Sequence, residues 1–466
     1  MKIKNICCIG AGYVGGPTMA VIALKCPSIN VYVVDQNKEK INSWNNTNLD
    51  KLPVFEPGLK DIIKETRNKN LFFSSKIDEA INKSEMIFMA VNTPTKSKGE
   101  GKGYAADLTY VENCAKTISE IALKDKIIVE KSTLPVRTAE KIKNILEKNK
   151  KPNVKFEVLS NPEFLAEGTA IQDLFKSDRV LIGGDDTSTG KNAVKCLVEI
   201  YSNWIPIERI VTTNIWSSEL SKLVSNAMLA QRLSSINSIS ALCEKTGADI
   251  EEVSKAVGFD HRIGSSFLKS SLGFGGSCFK KDILNLVYIS RSLGLDEVAD
   301  YWERVVEINN YQTTRFSQKI LSIFNYSLHN KVITILGWSF KKNTNDSRES
   351  ASIYLAEKLL DKEAIINIYD PMVKDSRIIS DLKNLMIDKD ITKHLSRINI
   401  FNDPYSAINK SSLLAICTEW DEFLGYDWEK IYNSMQKPAW ICDGRNLLNT
   451  KELKSIGFKI YSIGKS

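Results

Sequence analysis

The sequence predicts an α/β protein of two Rossmann-like, doubly wound lobes joined by a central helical region that contains one long helix. Three observations predict it. Short β-branched runs alternate with helical segments over the first two hundred residues. A stretch without proline or glycine, apolar at helical spacing, runs from Ser217 to Thr246. Near Lys331 the strand–helix alternation starts again. A chain of 466 residues exceeds one ordinary hydrophobic core, so domains are expected at 1–213, 214–327 and 328–466.

In the first lobe, Ile3–Ile9, Asn30–Val34, Met86–Val91, Lys126–Glu130 and Phe156–Leu159 read as buried strands of a parallel sheet. Thr138–Lys148 has the periodicity of an intervening helix. Ser217–Thr246 is longer than a typical globular helix and is ended by Gly247. Further helical pattern runs to about Phe324, and this region is expected to present a dimer face. In the last third, Val332–Leu336 reads as a strand, Gly337 as a turn and Ser350–Leu360 as a helix. Strands follow at Ala364–Tyr369, before Asp370-Pro371, and at Leu413–Cys417 and Ala439–Cys442.

Composition narrows the function classes. Hydrophobic content of 43% and charged content of 26% are those of a globular domain protein. The net charge of +7 is dispersed without a basic block, which argues against a nucleic-acid partner. No stretch approaches the roughly 20 apolar residues of a membrane span. The apolar run before Gly10 is too short for a signal segment and ends in a glycine motif, so a cytoplasmic protein is expected. Nine cysteines, an odd number without a CxxC pair or His-rich spacing, argue against a disulfide framework and a structural zinc site, and no metal is expected. Cys7, Cys8, Cys196, Cys243, Cys417 and Cys442 sit in apolar runs as small buried hydrophobes. With three histidines in the chain, acid–base chemistry falls to Lys, Asp, Glu or Cys.

The motif Gly10-Ala11-Gly12-Tyr13-Val14-Gly15 follows a strand and opens a helix. Its glycines suit a tight turn, close backbone approach to a pyrophosphate and helix–strand packing, with the helix N-terminus facing the phosphates. Asp35 lies 20 residues beyond Gly15 at a strand end, where a carboxylate accepts ribose hydroxyls and repels a 2′-phosphate. NAD is therefore favoured over NADP. Val91-Asn92-Thr93-Pro94-Thr95 and Ser132-Thr133 follow other strands at the same sheet edge, where open α/β sheets bind ligands. Alone, either is an ordinary loop.

Three segments carry candidate chemistry. In Asn161–Gly168, Glu163 and Glu167 share a face if the segment is helical, a spacing that fits a solvated acidic turn as well as a catalytic pair. Lys222 and Asn226, four apart on the long helix, border its apolar side, and a snorkelling lysine has the same pattern. Gly273-Phe274-Gly275-Gly276-Ser277-Cys278 sets a thiol at the start of a helix read from Asp282 to Ser290. Helix-end amides favour thiolate, and Asp282 lies one turn on. A nucleophilic thiol together with an NAD motif suggests aldehyde oxidation through a thiohemiacetal and a thioester.

Together and in this order, these motifs resemble the UDP-glucose/GDP-mannose dehydrogenase superfamily. The similarity continues through Ile333–Arg348 and Cys442-Asp443-Gly444-Arg445 and spans essentially the whole chain, while 230–243 resembles the eukaryotic UDP-glucose branch. The resemblance implies four-electron, NAD-dependent oxidation of UDP-glucose to UDP-glucuronate with release of two NADH. Sister activities on GDP-mannose or a UDP-N-acetylhexosamine, or a silent nucleotide-sugar-binding protein, are the alternatives. It implies Cys278 as nucleophile, Lys222 and Asp282 managing protons and oxyanion charge beside Asn226, Glu163 assisting thioester hydrolysis, and Thr133 holding a catalytic water.

Cofactor contacts implied in the same way are Gly10, Gly12, Tyr13, Val14, Gly15, Asp35, Lys40, Val91, Asn92, Thr93, Pro94, Thr95, Ser132, Thr133, Glu167, Gly276, Ser277, Cys278, Lys281 and Arg348. UDP-sugar contacts are Glu163, Phe164, Leu165, Ala166, Glu167, Lys222, Asn226, Arg262, Lys269, Leu272, Gly273, Phe274, Gly275, Phe340, Lys341 and Arg445. Arg262 is expected in a neighbouring subunit's site, within a homodimer or dimer-based homohexamer. Two residues depart from the family pattern: Lys40 replaces an arginine near the adenosine ribose, and Trp338 replaces a smaller residue beside Phe340, where it is expected to alter the uridine pocket.

Overall fold

Strand pairing builds two separate sheets, one in each of the two units into which the chain divides, Met1–Ser225 and Asn226–Ser466. The computed structural model describes residues 2–386 and 391–465.

The first unit contributes strands β1 (Asn5–Ile9), β2 (Asn30–Val34), β3 (Leu71–Ser74), β4 (Met86–Met89), β5 (Lys126–Glu130), β6 (Phe156–Ser160), β7 (Val180–Gly184) and β8 (Ile210–Asn214). Their order across the sheet is β3-β2-β1-β4-β5-β6-β7-β8. Neighbours are parallel except β6 and β7, which meet antiparallel at Ser160 and Gly183. Short strands with an apolar body, such as Ile6–Ile9 of β1, are what a sheet covered on both faces requires. Ile6 and Cys8 of β1 join one core with Met19 and Val21 of the helix Gly15–Lys25. Cys7 and Ile9 face the opposite core, with Ile118 and Ile142.

Register fixes where the loops emerge. Ile9 pairs with Met89, Met89 with Glu130, and Glu130 with Ser160. The segments after β1, β4, β5 and β6 therefore leave the sheet along one carboxyl edge, the position at which doubly wound sheets bind ligands.

The second unit begins inside the long helix Ile215–Thr246 and continues through Ile250–Gly258, Phe279–Ser292 and Asp296–Ile323. Its sheet holds β9 (Val332–Leu336), β10 (Ile365–Tyr369), β11 (Ile398–Ile400), β12 (Leu413–Ile416), β13 (Trp440–Asp443) and β14 (Lys459–Ser462) in the order β11-β10-β9-β12-β13-β14, all parallel. Ile333 and Ile335 pack with Leu355 and Leu359 on one face, and Leu336 and Ile416 with Phe423 and Ile431 on the other. Each such side chain contributes about 1.5–3 kcal/mol by leaving water.

Two expectations are corrected. Asn161–Gly168 is not helical, so Glu163 and Glu167 do not share a helix face. Pro162 has no amide to continue a helical ladder, and Gly168 turns the chain with a positive φ of 85°. Trp338 does not border a nucleotide pocket: the indole is fully buried in the core, its nitrogen donating to Asp381 Oδ2 at 3.1 Å. Among the described residues, no helix is long and apolar enough to cross a membrane.

Candidate active site

The glycine turn divides its labour visibly. Gly10 has φ of 115°, its amide donates to Val34 O at 2.8 Å, and a Cβ there would overlap the Ala90 carbonyl. A Cβ on Gly15 would overlap the Gly10 carbonyl. Gly12 differs, because a Cβ on it would meet nothing within 4 Å. The first and third glycines are needed by the chain itself; the second keeps open space beside the backbone. Tyr13 and Val14 complete the turn, and Val14 stands at the N-cap of the helix Gly15–Lys25.

Asp35 follows β2 and accepts from Ala11 N at 3.0 Å, Asn37 N at 2.9 Å and Lys40 Nζ at 2.8 Å. Burial by itself would raise this carboxyl, but these donors outweigh it and hold Asp35 below the usual carboxylate range. An ionised acid beside an open glycine turn fits the adenosine half of NAD. The next two loops are tied to each other: Ser132 Oγ donates to Val91 O at 2.6 Å and Thr93 Oγ1 to Thr133 O at 3.2 Å. Pro94 O accepts from Asp107 N at 2.7 Å, Thr95 bridges to Ala106, and Asn92 is exposed.

Glu163 is buried after β6. Its Oε2 accepts from Leu165 N at 2.7 Å, and its Oε1 lies 3.4 Å from the ammonium of Lys222, which is 4% exposed. The snorkelling reading of Lys222 is therefore replaced by a buried ion pair. Phe164 receives two cations on its ring, Arg179 at 3.9 Å and Lys222 at 5.2 Å from the centroid. Ala166 N donates to Asp173 Oδ2 at 2.9 Å, and Leu165 and Glu167 are half-buried.

In the second unit, Cys278 is exposed at the N-cap of Phe279–Ser292, and its carbonyl accepts from Asp282 N at 2.8 Å. Ser277 Oγ lies 3.6 Å from the sulfur. Asp282 is 1% exposed, accepts from Asn226 Nδ2 at 2.6 Å, and has Lys281 Nζ 3.6 Å from its other oxygen. The eight other cysteines are buried.

The glycine segment before the thiol is held on every side. Leu272 N donates to Gly444 O and Gly276 N to Arg348 O, both at 2.8 Å. Gly275 leaves no room for a Cβ against Glu349 O, and at Gly276, with φ of 85°, a Cβ would stand 3.0 Å from the Phe340 ring. Gly273, also of positive φ, lies against Thr313 and Asn309. Arg445 donates from Nη2 to Phe340 O at 2.9 Å and from Nε to Cys417 O at 2.7 Å. Lys341 Nζ lies 5.7 Å from the Phe340 ring centroid. Leu272–Gly276, Phe340, Arg348 and Arg445 are thus neighbours. Lys269 is exposed and its charge bears on the Asp443 carboxyl beside Gly444, whereas Arg262 is an exposed cation paired with Asp260 at 2.6 Å.

Sequence reasoning missed two sets of supporting residues. Asn309 holds both backbone groups of Phe274, while Gln312 and Thr313 donate to Ser271 O and Leu272 O. Their i, i+3, i+4 spacing on an otherwise amphipathic helix was the available signal. In the first unit, Lys131 is buried beside Asn161 and Tyr201, and Glu130 is buried against Glu219. Burial, and then the neighbouring carboxylate, pushes Glu130 well above the usual carboxyl range. Glu219 accepts from Arg137 N at 2.7 Å and Ala139 N at 2.8 Å.

The glycine turn with an ionised acid at the end of the second strand has the form of a nicotinamide-dependent oxidoreductase, and the second unit holds a thiol set by glycines at a helix start. Family models give the particular kind. The chain matches the UDP-glucose/GDP-mannose dehydrogenase family in its NAD binding domain over residues 4–205, its central domain over 216–311 and its UDP binding domain over 334–450. It is 57% identical to a UDP-glucose 6-dehydrogenase of Drosophila melanogaster, covering 99% of this chain and 96% of that protein. It is 54% identical to UDP-glucose 6-dehydrogenase 4 of Arabidopsis thaliana, covering 99% and 97%. The solved UDP-glucose dehydrogenase of Pyrobaculum islandicum superposes with a TM-score of 0.84 at 29% identity, covering 100% and 98%. The chain belongs to the UDP-glucose/GDP-mannose dehydrogenase family.

Proposed function

We propose that this chain oxidises UDP-glucose to UDP-glucuronate in an NAD-dependent, four-electron reaction. The observation that carries this reading is Cys278, the one exposed cysteine, at a glycine-set helix start above the buried Asn226–Asp282 pair, in a chain similar over its full length to UDP-glucose 6-dehydrogenases. Gly10, Gly12, Gly15 and Asp35 would hold NAD, which would supply the hydride acceptor for both oxidations.

The chain's own residues do the rest. Lys222 takes the proton of the sugar C6 hydroxyl and steadies the oxygen as charge develops, while C6 loses hydride and becomes an aldehyde carbon. The Cys278 sulfur adds to the resulting aldehyde carbon, and the carbonyl oxygen gains a proton, giving a thiohemiacetal. Loss of hydride from that carbon and of the hydroxyl proton leaves a thioester. Asp282 accepts and returns these protons, and Asn226 holds the Asp282 carboxylate in place through its side-chain N–H. Water placed by Thr133 then adds to the thioester, Glu163 takes its proton, and the carbon–sulfur bond breaks to return Cys278. Arg445, Lys341, Lys269 and the Leu272–Gly275 segment hold the UDP-sugar, with Phe340, Phe164, Leu165 and Ala166. Arg348, Lys281, Gly276, Ser277, Glu167 and the Val91–Thr95 and Ser132 loops complete the cofactor contacts.

The three family-model ranges support division at 1–213, 214–327 and 328–466. The exposed guanidinium of Arg262 supports a role in another subunit's site, within a homodimer or dimer-based homohexamer. The same reading places the enzyme in the cytoplasm.

NADH yield at limiting UDP-glucose tests the proposal. Two NADH per sugar are expected, with UDP-glucuronate as product and iodoacetamide labelling Cys278 ahead of the other eight thiols. Cys278→Ala should lose acid formation by more than about a thousandfold while still binding both ligands. One NADH per sugar, or a fully active Cys278→Ala enzyme, overturns it.

A further inference from the structure

Lys131 is a third charged member of the buried cluster that contains Glu163 and Lys222, and the proposed reaction leaves it unused. Its ammonium donates to Asn161 Oδ1 at 3.2 Å and lies 3.4 Å from the Tyr201 hydroxyl. Tyr201 OH donates to the same Asn161 oxygen at 2.7 Å, and Asn161 Nδ2 is anchored on Leu181 O at 2.8 Å. The side chain is 4% exposed and makes no ion pair among the described residues. A buried ammonium held by neutral acceptors, without a carboxylate in contact, is unusual on stability grounds alone.

Its surroundings explain the arrangement. Glu163 faces it from the turn after β6, Lys222 from the long helix, Tyr201 from the helix Ser188–Tyr201 and Cys8 from β1. Glu130, the preceding residue, is engaged with Glu219 instead. Burial lowers the Lys131 ammonium to about 8; the Glu163 carboxylate opposes that shift and the Lys222 ammonium adds to it. The three groups therefore share charge: two lysines stand around one buried carboxylate. If Lys222 gives up its proton in turnover, Glu163 loses its contact cation and would be left as an uncompensated buried anion.

We infer that Lys131 is a positioning residue, held by Asn161 and Tyr201 to keep Glu163 compensated whenever Lys222 is deprotonated, so that Lys222 is able to act as a base near neutrality. This rests on the proposed function, in which Lys222 is that base. Removing the Lys131 charge leaves Glu163 to hold the Lys222 proton more tightly, which moves the acidic limb of the kcat profile to higher pH.

The test is the pH profile of kcat for NADH formation from UDP-glucose in Lys131→Gln, Lys131→Met and Lys131→Arg enzymes. Gln keeps a donor for Asn161 without the charge, should Met fail to fold. Both neutral variants should move the acidic limb up by about one pH unit, a roughly tenfold loss near neutrality regained at higher pH, with KM for both ligands within about twofold. Lys131→Arg should keep the wild-type limb. An unmoved limb in Lys131→Gln, the same shift in Lys131→Arg, or a pH-independent loss of kcat would overturn the inference. Those outcomes in an enzyme that still yields two NADH per sugar leave the proposed function standing, whereas one NADH per sugar in the wild type removes that function first.

Discussion

The two sheets share a plan and differ in what fills it. β3-β2-β1-β4-β5-β6 and β11-β10-β9-β12-β13-β14 have the same order, and in each the first strand runs into a glycine of positive φ, Gly10 at 115° and Gly337 at 94°. Each second strand is followed by an aspartate, Asp35 or Asp370. After Gly10 the chain continues Ala11-Gly12, with open space beside Gly12; after Gly337 comes Trp338, whose indole is fully buried. Asp35 receives the amides of Ala11 and Asn37 and the Lys40 ammonium, whereas Asp370 receives the amides of Trp338, Ser339, Met372 and Val373 and the indole nitrogen of Trp420. Topology alone supplies a sheet edge. A dinucleotide site also needs a turn without side chains and an acid with acceptor capacity to spare, and in the second lobe that capacity serves the chain's own loops.

This contrast is open to attack at its ends. Asp370→Ala should have the largest effect, about 4 kcal/mol in urea unfolding of the C-terminal lobe, because several inward-facing donors lose their acceptor together. NAD affinity should not follow it except through the folded fraction; a specific loss of NAD binding in the folded variant would break the comparison. Gly12→Val comes next: binding titration should show NAD weakened on the order of a hundredfold, about 2.7 kcal/mol, with the thermal midpoint unchanged. A drop in Tm equal to that at Gly10→Ala would mean that the open space is not a ligand's.

Asp35→Asn is expected to act more gently, narrowing the preference for NAD over NADP about tenfold, as read from kcat/KM with each cofactor. Smallest is a pH effect within the first lobe. Glu130 and Glu219 are carboxyls whose folded pKa values are raised by burial, so their contribution to stability is complete below the ordinary carboxyl range and is lost as pH rises through the raised values. Wild type should lose about 1 kcal/mol relative to Glu130→Gln between pH 6 and 9 in urea titrations. Parallel curves would show that the pair is not sharing a proton.

The sequence exposed these features unevenly, for physical reasons. β4 is an unbroken apolar run, and β1, β2 and β5 have apolar centres, because helices cover both faces; the glycine turn is legible because Gly10 and Gly15 leave no room for a side chain. β3, β7, β8, β11 and β14 went unread: β3, β8, β11 and β14 lie at or beside sheet edges, and β7 ends in two glycines. Cys278 was legible through its flanking glycines. Lys131 was not, since a lysine at a strand end looks the same whether water or Glu163 lies beyond it. The Asn309, Gln312 and Thr313 clamp was hidden for a similar reason, because buried polar residues on a helix declare themselves only through partners distant in sequence.

The distribution of thiols has a consequence for how this molecule ages. Eight cysteines lie inside the two lobes, and burial raises Cys7, Cys8, Cys26, Cys114, Cys417 and Cys442 above the ordinary thiol range, which withholds the thiolate that peroxide attacks. Oxidant therefore reaches Cys278 first and carries it toward sulfenic and then sulfinic acid. Because that side chain points outward and supports no core, the damaged protein should keep its circular dichroism and its unfolding curve while turning over nothing. Oxidative wear would then leave a pool of folded but idle enzyme, restored by thiol reductant at the first stage and permanently silent at the second.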